Sequence, residues 1–189
     1  MYKSRVMPKR HLMMHKTLTD LSLDSLEQCT LDKLQAHRVT AVLLALGSNY
    51  QAQKYLPIAR TRLAELGEMQ LSTAFQNPDF TATLELPKPD YTNQCVYLSL
   101  KTPMTLQQLE QMLKQFEEEC HRQRSIEKQT PIKKVTIDID VLLVNLQIAK
   151  NSLSDNKESK WIIIRDRYPF KAHETAGIKE LIISDFLTD

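Results

Sequence analysis

Asp138 and Asp140 are the residues whose types and spacing most directly suggest chemistry. They stand on alternate positions of the apolar run Val135–Val144, so a strand would place them, with Thr136, on one face. The opposite face would carry Ile137, Ile139, Val141 and Leu143. Aspartate is uncommon in strands and like charges repel, whereas two carboxylates at this spacing suit Mg²⁺, which adds water and phosphate oxygens. Judged on this strand alone, a solvent-exposed, acidic edge strand without a metal is an equally good interpretation.

A cationic segment leads into the same strand. Residues 121–134 show no periodicity and carry five cations: Arg122, Arg124, Lys128, Lys133 and Lys134. Beside metal-binding carboxylates, such cations suit a polyphosphate, because Mg²⁺ bridges phosphate oxygens and arginines offset the remaining charge. The chain's three glycines cannot form a Walker loop, so side chains and metal would have to hold a nucleotide. For the two arginines alone, a solvated helix end is the alternative.

The first elements that would position these groups lie between Leu23 and Phe75. Spacing predicts a short helix over 23–34, a buried strand over Val39–Leu46, and a helix through Leu56 and Leu66 that Gly67 ends in a left-handed conformation. A second strand is expected over Met69–Phe75. Three prolines between Asn77 and Asn93 then predict a loop, and a loop of that length is often functional.

The later elements complete the series. A third strand is expected over Gln94–Lys101, then a helix from Thr105 whose capping box uses Gln108, then the strand with the aspartates. A short strand over Trp161–Arg165 and a final helix through Ile178–Phe186 would follow. Right-handed crossovers make the simplest solution an α+β fold, a ferredoxin-like α-β-α sandwich with a mainly antiparallel sheet.

Composition describes an ordinary globular chain. Of 189 residues, 42% are hydrophobic and 25% charged, and the net charge of +2 argues neither for nor against a nucleic-acid partner. We expect a basic N-terminal extension over 1–38, partly helical, and one domain over 39–189. The sequence shows no signal peptide and no membrane span, so we expect a cytoplasmic protein with its three cysteines reduced.

Four blocks of the sequence together resemble the 6-hydroxymethyl-7,8-dihydropterin pyrophosphokinase family of folate biosynthesis. The blocks are Leu46-Gly47-Ser48-Asn49, Pro89-Asp90-Tyr91-Thr92-Asn93, Glu117 with Arg122 and Arg124, and Thr136-Ile137-Asp138-Ile139-Asp140-Val141-Leu142. The similarity spans roughly residues 39–181. It implies a three-layer α-β-α fold, with Mg²⁺-dependent transfer of pyrophosphate from ATP to the pterin hydroxymethyl group.

The resemblance also implies roles for single residues. Asp138 and Asp140 match the pair that holds two Mg²⁺ ions, and Arg122 matches a catalytic-loop arginine. Nucleotide contacts are implied for Glu117 and Arg124, with Lys133 or Lys134 as a further cation. The pterin side would be formed by Asn77, Pro78, Tyr91 and Asn93. ATP and the pterin would be the partners of a monomer or weak homodimer, without nucleic acid or membrane.

The chain also departs from the family pattern at several positions. Thr130–Val135 stands where the family has an Arg-Trp-Gly-Pro-Arg-like run, so Val135 takes the place of its second arginine. Pro169-Phe170 replaces a Pro-His pair, and Gly177 or Ile178 falls where an aromatic residue stacks on the pterin. A catalytically impaired paralogue that binds nucleotide or pterin without turnover is therefore the alternative. An RNA-binding sandwich is a third interpretation, with Tyr97 as its one strand aromatic.

Overall fold

A seven-stranded mixed sheet forms the centre of this computed structural model, which describes residues 22–124, 130, 132–148 and 158–185. The strands are β1 (Glu27–Cys29), β2 (Arg38–Ser48), β3 (Gly67–Leu71), β4 (Phe75–Asn77), β5 (Tyr91–Thr105), β6 (Asp138–Ile148) and β7 (Glu158–Ile164). Their order is β1-β7-β6-β2-β5-β3, and β4 also pairs with β5. Only β1 and β7 are parallel among these pairs. The α+β class with a mainly antiparallel sheet is confirmed, and its ferredoxin-like subdivision stays a prediction.

Helices cover both faces of the sheet. They are α1 (Leu31–Leu34), α2 (Ala52–Leu66), α3 (Leu106–Glu119) and α4 (Ala172–Asp185). One core cluster joins the sheet to α2 and α3 through residues such as Leu63 and Leu109, and the other joins it to α4 through Ile178 and Leu181. No helix in the described part of the chain has the length and apolar character that a membrane span requires.

The start of α3 shows the predicted capping box. The Thr105 hydroxyl accepts the backbone N–H of Gln108 at 3.2 Å, and the Gln108 side chain accepts the backbone N–H of Thr105 at 3.0 Å. These two bonds satisfy donors that have no partner within the helix. The helix therefore begins at a fixed residue, and its last turn reaches the end of β6.

The single helix expected over 23–34 is wrong. A 3₁₀ turn at Leu23–Ser25 is followed by β1 and then by α1. β1 pairs with the outer edge of β7, from Glu27 opposite Ile162 to Cys29 opposite Ile164. Pairing with a distant strand has overridden the local helical spacing, and part of the expected N-terminal extension thereby joins the sheet. The stretch 1–21 lies outside the described residues.

Two expectations near Gly67 are also wrong. Gly67 has an extended backbone, with φ 177°, and opens β3 instead of ending α2 in a left-handed conformation. A Cβ atom there would lie 1.8 Å from the Ser99 carbonyl oxygen, so glycine is needed for a close approach to β5. The strand expected over Met69–Phe75 is divided at Ser72, whose hydroxyl accepts the backbone N–H of Cys95.

The alternation predicted for the aspartate strand holds only in its first part. Leu44 of β2 stands opposite Val141, but Leu43 stands opposite Leu143, so Leu142 is an extra residue on β6. This bulge turns Leu143 to the α4 side, whereas Val141 packs with the α2 and α3 cluster. The strand also begins at Asp138, not at Val135. Asp138 and Asp140 precede the bulge, so they still share one face.

Candidate active site

Asp138 and Asp140 lie at the start of β6, in register with residues of the central strands β2 and β5. In the sheet register Asp138 stands opposite Gly47 of β2, which stands opposite Asn93 of β5. Asp140 stands opposite Ala45, one step farther into the sheet. Both aspartate side chains are about one-third exposed, at 32% and 33%. The two carboxylates are therefore close to solvent at the edge of the α4-covered face.

Asp138 pairs with both predicted arginines. Its Oδ1 lies 3.1 Å from Nη1 of Arg122 and 3.1 Å from Nη2 of Arg124. Arg122 also donates to the Ile137 carbonyl at 2.7 Å, and its side chain is only 7% exposed, whereas that of Arg124 is 57% exposed. The structure thus brings Arg122, Arg124 and Asp138 together, with Arg122 fixed and Arg124 open to solvent.

Glu117 connects α3 to the same strand. Its buried carboxylate accepts two hydrogen bonds from Nη2 of Arg124, at 2.9 and 2.7 Å, and one from the backbone N–H of Ile139, at 2.8 Å. Burial raises the pKa of Glu117, against the opposing effect of Arg124. The pairing of β6 with β7 begins only at Leu143, so Glu117 supplies the acceptor that a neighbouring strand would otherwise offer to Ile139.

Asp140 has a separate partner that sequence reasoning missed. Its Oδ2 lies 2.8 Å from Nη2 of Arg167, and the same nitrogen lies 3.2 Å from Oε1 of Glu174. Glu174 is 2% exposed, and its other oxygen accepts the backbone N–H of Lys171 at 2.8 Å. Burial, and then the charge of Asp138, raise the pKa of Asp140, while Arg167 opposes that shift. The sequence signal that could have identified Arg167 was the charged run Arg165-Asp166-Arg167 at the end of a predicted strand.

A cavity of about 230 Å³ opens beside these groups. Its charged lining includes Glu117, Arg124, Asp140 and Arg167. Its apolar lining is supplied by Leu31, Leu113, Ile139, Val141 and Ile164. The combination of a charged part and an apolar part fits a ligand that carries both a polyphosphate and a flat ring.

The Leu46-Gly47-Ser48-Asn49 block fixes the segment that enters β6. The Asn49 side chain accepts the backbone N–H of Val135 at 2.7 Å and donates to the Lys133 carbonyl at 2.9 Å. The Ser48 hydroxyl donates to the Val135 carbonyl at 3.2 Å. Val135 is buried, so it contributes packing where the resembling family has a second arginine.

The two predicted lysines are not brought to the acid pair. Both are exposed, and the Lys134 ammonium lies over the Tyr50 ring, 5.2 Å from its centroid. In the described residues, the ion pairs of the two aspartates are made with Arg122, Arg124 and Arg167. Lys128 lies outside the described residues.

The predicted pterin residues gather on neighbouring strands. Asn77 of β4 stands opposite Tyr91 of β5, and Asn93 lies two residues farther along β5. Pro78 follows Asn77 on the exposed loop, and the loop over 78–90 forms neither helix nor strand. A Cβ at Gly47 would lie 3.1 Å from Oδ1 of Asn93, so glycine at this position avoids a tight contact with the Asn93 amide. An amide and a phenol therefore face the acid pair across one strand.

The late departures from the family pattern are packed inside the protein. A Cβ at Gly177 would lie 2.7 Å from the Cys95 sulfur, and Ile178 is fully buried in the α4 cluster. Phe170 packs edge-to-face against Tyr168, with ring centroids 5.4 Å apart. Gly177 and Ile178 are thus buried on α4, and the partly buried Phe170 packs against the same cluster.

The acid pair fits a hard divalent cation. The described residues contain no group of three or more His, Cys, Asp or Glu side chains arranged for a metal, so a fully protein-built metal cage is excluded within them. Burial, and then the nearby negative charge of Asp138, raise the pKa of Asp140. Mg²⁺ would relieve that repulsion, and it needs only one or two carboxylates when a phosphate supplies other ligands.

Comparison with known proteins agrees with this geometry. The model of the 7,8-dihydro-6-hydroxymethylpterin-pyrophosphokinase family matches residues 43–159, more than half of the chain, and this range includes Asn93, Glu117 and both aspartates. No curated protein matches the chain. The enzymes of that family are ATP-dependent diphosphokinases that transfer pyrophosphate to hydroxymethyldihydropterin in folate synthesis. With its acids, arginines and amide arranged on one end of the sheet, the chain belongs to the 7,8-dihydro-6-hydroxymethylpterin-pyrophosphokinase family.

Proposed function

We propose that this protein catalyses Mg²⁺-dependent transfer of pyrophosphate from ATP to 6-hydroxymethyl-7,8-dihydropterin. The observation that carries the proposal is the shared row Asn93–Gly47–Asp138, which sets a pterin-type amide beside an acid that is paired with two arginines. In the reaction, the pterin hydroxymethyl oxygen bonds to the β-phosphorus of ATP and AMP leaves. The two substrates must therefore meet at this row.

Asp138 and Asp140 would hold two Mg²⁺ ions, which supply charge neutralisation and alignment of the phosphate oxygens. Arg122 is held by the Ile137 carbonyl, so it can present its guanidinium to the transferred group with little loss of side-chain entropy. Glu117 orients Arg124, which is exposed enough to reach a phosphate. Phosphoryl-type transfer requires mainly positioning and charge stabilisation, and these residues provide both.

The cavity would take the nucleoside part of ATP. Its charged lining adjoins the acids, and its apolar lining suits a flat heterocycle. On the other side of Asp138, Asn93 would hydrogen-bond the pterin, with Tyr91, Asn77 and Pro78 around it. Lys133 and Lys134 would attract the polyphosphate as exposed charges.

A second candidate is nucleotide or pterin binding without turnover. Its support is specific: Val135 is buried where the family has an arginine, and Gly177 and Ile178 are packed where the family has a stacking aromatic. The RNA-binding interpretation has less support, because Tyr97 packs against Trp161 in the cluster under α4.

Two measurements separate these functions. The first is calorimetric binding of α,β-methylene-ATP and of 6-hydroxymethyl-7,8-dihydropterin, with and without Mg²⁺. The second is release of AMP from ATP in the presence and absence of the pterin. Pterin-dependent AMP release supports the enzyme, and Mg²⁺-dependent binding without AMP release supports the second candidate. If neither ligand binds, both proposals are wrong.

A further inference from the structure

Leu31 lines the cavity that we assign to the nucleoside, although it lies upstream of the family-matched residues 43–159. From this we propose that residues 27–35, a segment that precedes the matched region, form one wall of the nucleoside subsite and contribute directly to nucleotide affinity. This inference rests on the proposed function. It assigns the segment a role in the site, where the family match assigns none.

One side of the segment is fixed to β7. β1 continues the sheet through parallel pairing with residues 162–164, and Arg165 donates to the Gln28 carbonyl at 3.3 Å. Glu27 forms an exposed ion pair with Lys160. The last paired residue of β7, Ile164, itself lines the cavity, so β1 arrives at the cavity in a fixed register.

The other side of the segment is fixed to α3. The Gln35 side chain donates to the Glu110 carboxylate at 2.5 Å and to the Leu31 carbonyl at 3.3 Å, and the Gln35 carbonyl accepts the backbone N–H of Gln107 at 3.1 Å. Leu34 is 3% exposed and belongs to the main core. The backbone around Leu31 is thus held between β7 and α3, and its position does not depend on the short α1 helix alone.

The distance along α3 places Leu31 where a nucleoside would extend. Glu117, which contacts Arg124, lies near the acid end of the cavity, and Glu110, which contacts Gln35, lies seven residues earlier on the helix. Seven residues of α-helix span about 10 Å. If the triphosphate is bound at the aspartates, the ribose and base would extend along this part of α3. Leu31 would then touch the base and not the phosphates.

The test compares two ligands that share phosphates but differ in the nucleoside. Mg²⁺-α,β-methylene-ATP and Mg²⁺-tripolyphosphate are titrated into the full chain and into Leu31→Ala and Leu31→Gln. We expect both variants to lower affinity for the nucleotide about three- to tenfold through lost apolar contact, with tripolyphosphate affinity unchanged. Leu23→Ala is the matched control, because Leu23 belongs to the same upstream region but lines a different cavity.

Thermal unfolding without ligand is recorded for each variant. If Leu31→Ala unfolds at the assay temperature, Leu31→Gln carries the test, since it keeps the side-chain length. Unchanged nucleotide affinity in a folded Leu31 variant overturns the inference while leaving the proposed function intact. Equal losses for both ligands also overturn it, because they indicate a general structural effect. A wild-type chain that binds no nucleotide overturns the proposed function together with the inference.

Discussion

Asp138 and Asp140 stand two residues apart on one face of β6, yet their surroundings come from different parts of the chain. Asp138 is paired with Arg122 and Arg124, inside the family-matched range. Asp140 is paired with Arg167, which is held by Glu174, and both lie beyond that range. The partners of Asp138 therefore lie inside the family-matched range, whereas those of Asp140 lie in the C-terminal segment beyond it.

The partners matter because arginine side chains form ion pairs with both aspartates in this structure. Each arginine offsets a carboxylate charge that a divalent ion would otherwise balance. On the Asp138 side, Arg124 is held by Glu117 and is exposed to solvent, whereas the Arg122 side chain is largely buried and bonded to the Ile137 carbonyl. On the Asp140 side, the buried Glu174 restrains Arg167. A buried glutamate thus holds one arginine on each side, with Glu117 on Arg124 and Glu174 on Arg167.

The largest expected effect comes from removing either acid. Asp138→Asn and Asp140→Asn should each lower kcat/KM for AMP release by about a thousandfold or more, because each loses a ligand for the ions that neutralise the phosphates. Mg²⁺-dependent binding of α,β-methylene-ATP should fall in parallel. Glu118→Gln, an exposed position on α3, is the control. Full activity in either aspartate variant would show that the metal assignment is wrong.

We expect a smaller effect on activity from substitutions of the two arginines on the Asp138 side, and the two substitutions should change different kinetic constants. Arg122→Lys loses the planar group that contacts both Asp138 and the Ile137 carbonyl, so kcat should fall about 100-fold. Arg124→Lys should mainly raise KM for ATP, because its guanidinium is exposed and could contact a bound phosphate. Steady-state kinetics check both, with Arg38→Lys, an exposed arginine that donates to the Pro103 carbonyl, as control. An equal change in kcat for both variants would contradict the distinction.

On the Asp140 side, we predict a shift in pH dependence. Asp140 must be ionised to hold Mg²⁺, and its pKa is raised above the usual value for aspartate, so Mg²⁺-dependent nucleotide binding should weaken on acidification earlier than for an ordinary aspartate. Arg167→Gln removes a charge that lowers this pKa and should move the loss to higher pH. Calorimetric titrations across a pH series measure this, with Lys179→Gln as control. If the acid limb of the pH profile stayed in place in Arg167→Gln, the role assigned to Arg167 would be wrong.

The same pKa shift has a defined effect on stability. A carboxyl whose pKa is higher in the folded than in the unfolded state favours folding most when protonated. The contribution of Asp140 is therefore largest at low pH and falls as pH rises through the unfolded and then the folded pKa. The exposed fraction of its side chain, one-third, weakens this effect through solvent screening.

The smallest expected effect is for the stretch 1–21, which contains none of the family-like blocks. Deletion of residues 1–21 should leave kcat/KM and nucleotide affinity unchanged, because none of the family-like blocks lies there. Activity assays on the shortened chain and the full chain make the comparison. A loss of more than about threefold would place part of the machinery in that segment and would change the domain boundary predicted near residue 39.

Sequence reasoning succeeded where the signal is local. Alternation located the shared face of Asp138 and Asp140, and the Thr105-x-x-Gln108 spacing gave the start of α3. It failed where a distant partner decides the conformation. β1 exists because β7 has an open edge, Gly67 is extended because β5 passes close to it, and the bulge at Leu142 arises from pairing with β2.

Arg167 was missed for a related reason. Its importance depends on contact with Asp140, twenty-seven residues earlier in the chain, and on Glu174, which the periodicity of the final helix does not single out. Leu31 is similar, since contacts of its segment with β7 and α3 hold it beside the cavity. Charge or apolarity alone does not distinguish such residues from their neighbours in the sequence.

Gly47 has a consequence that reaches both substrates. Any other residue at this position would place a Cβ atom 3.1 Å from the side-chain oxygen of Asn93. In the proposed reaction, the lack of that atom would let the acceptor alcohol and the attacked phosphorus approach each other over the β2 backbone.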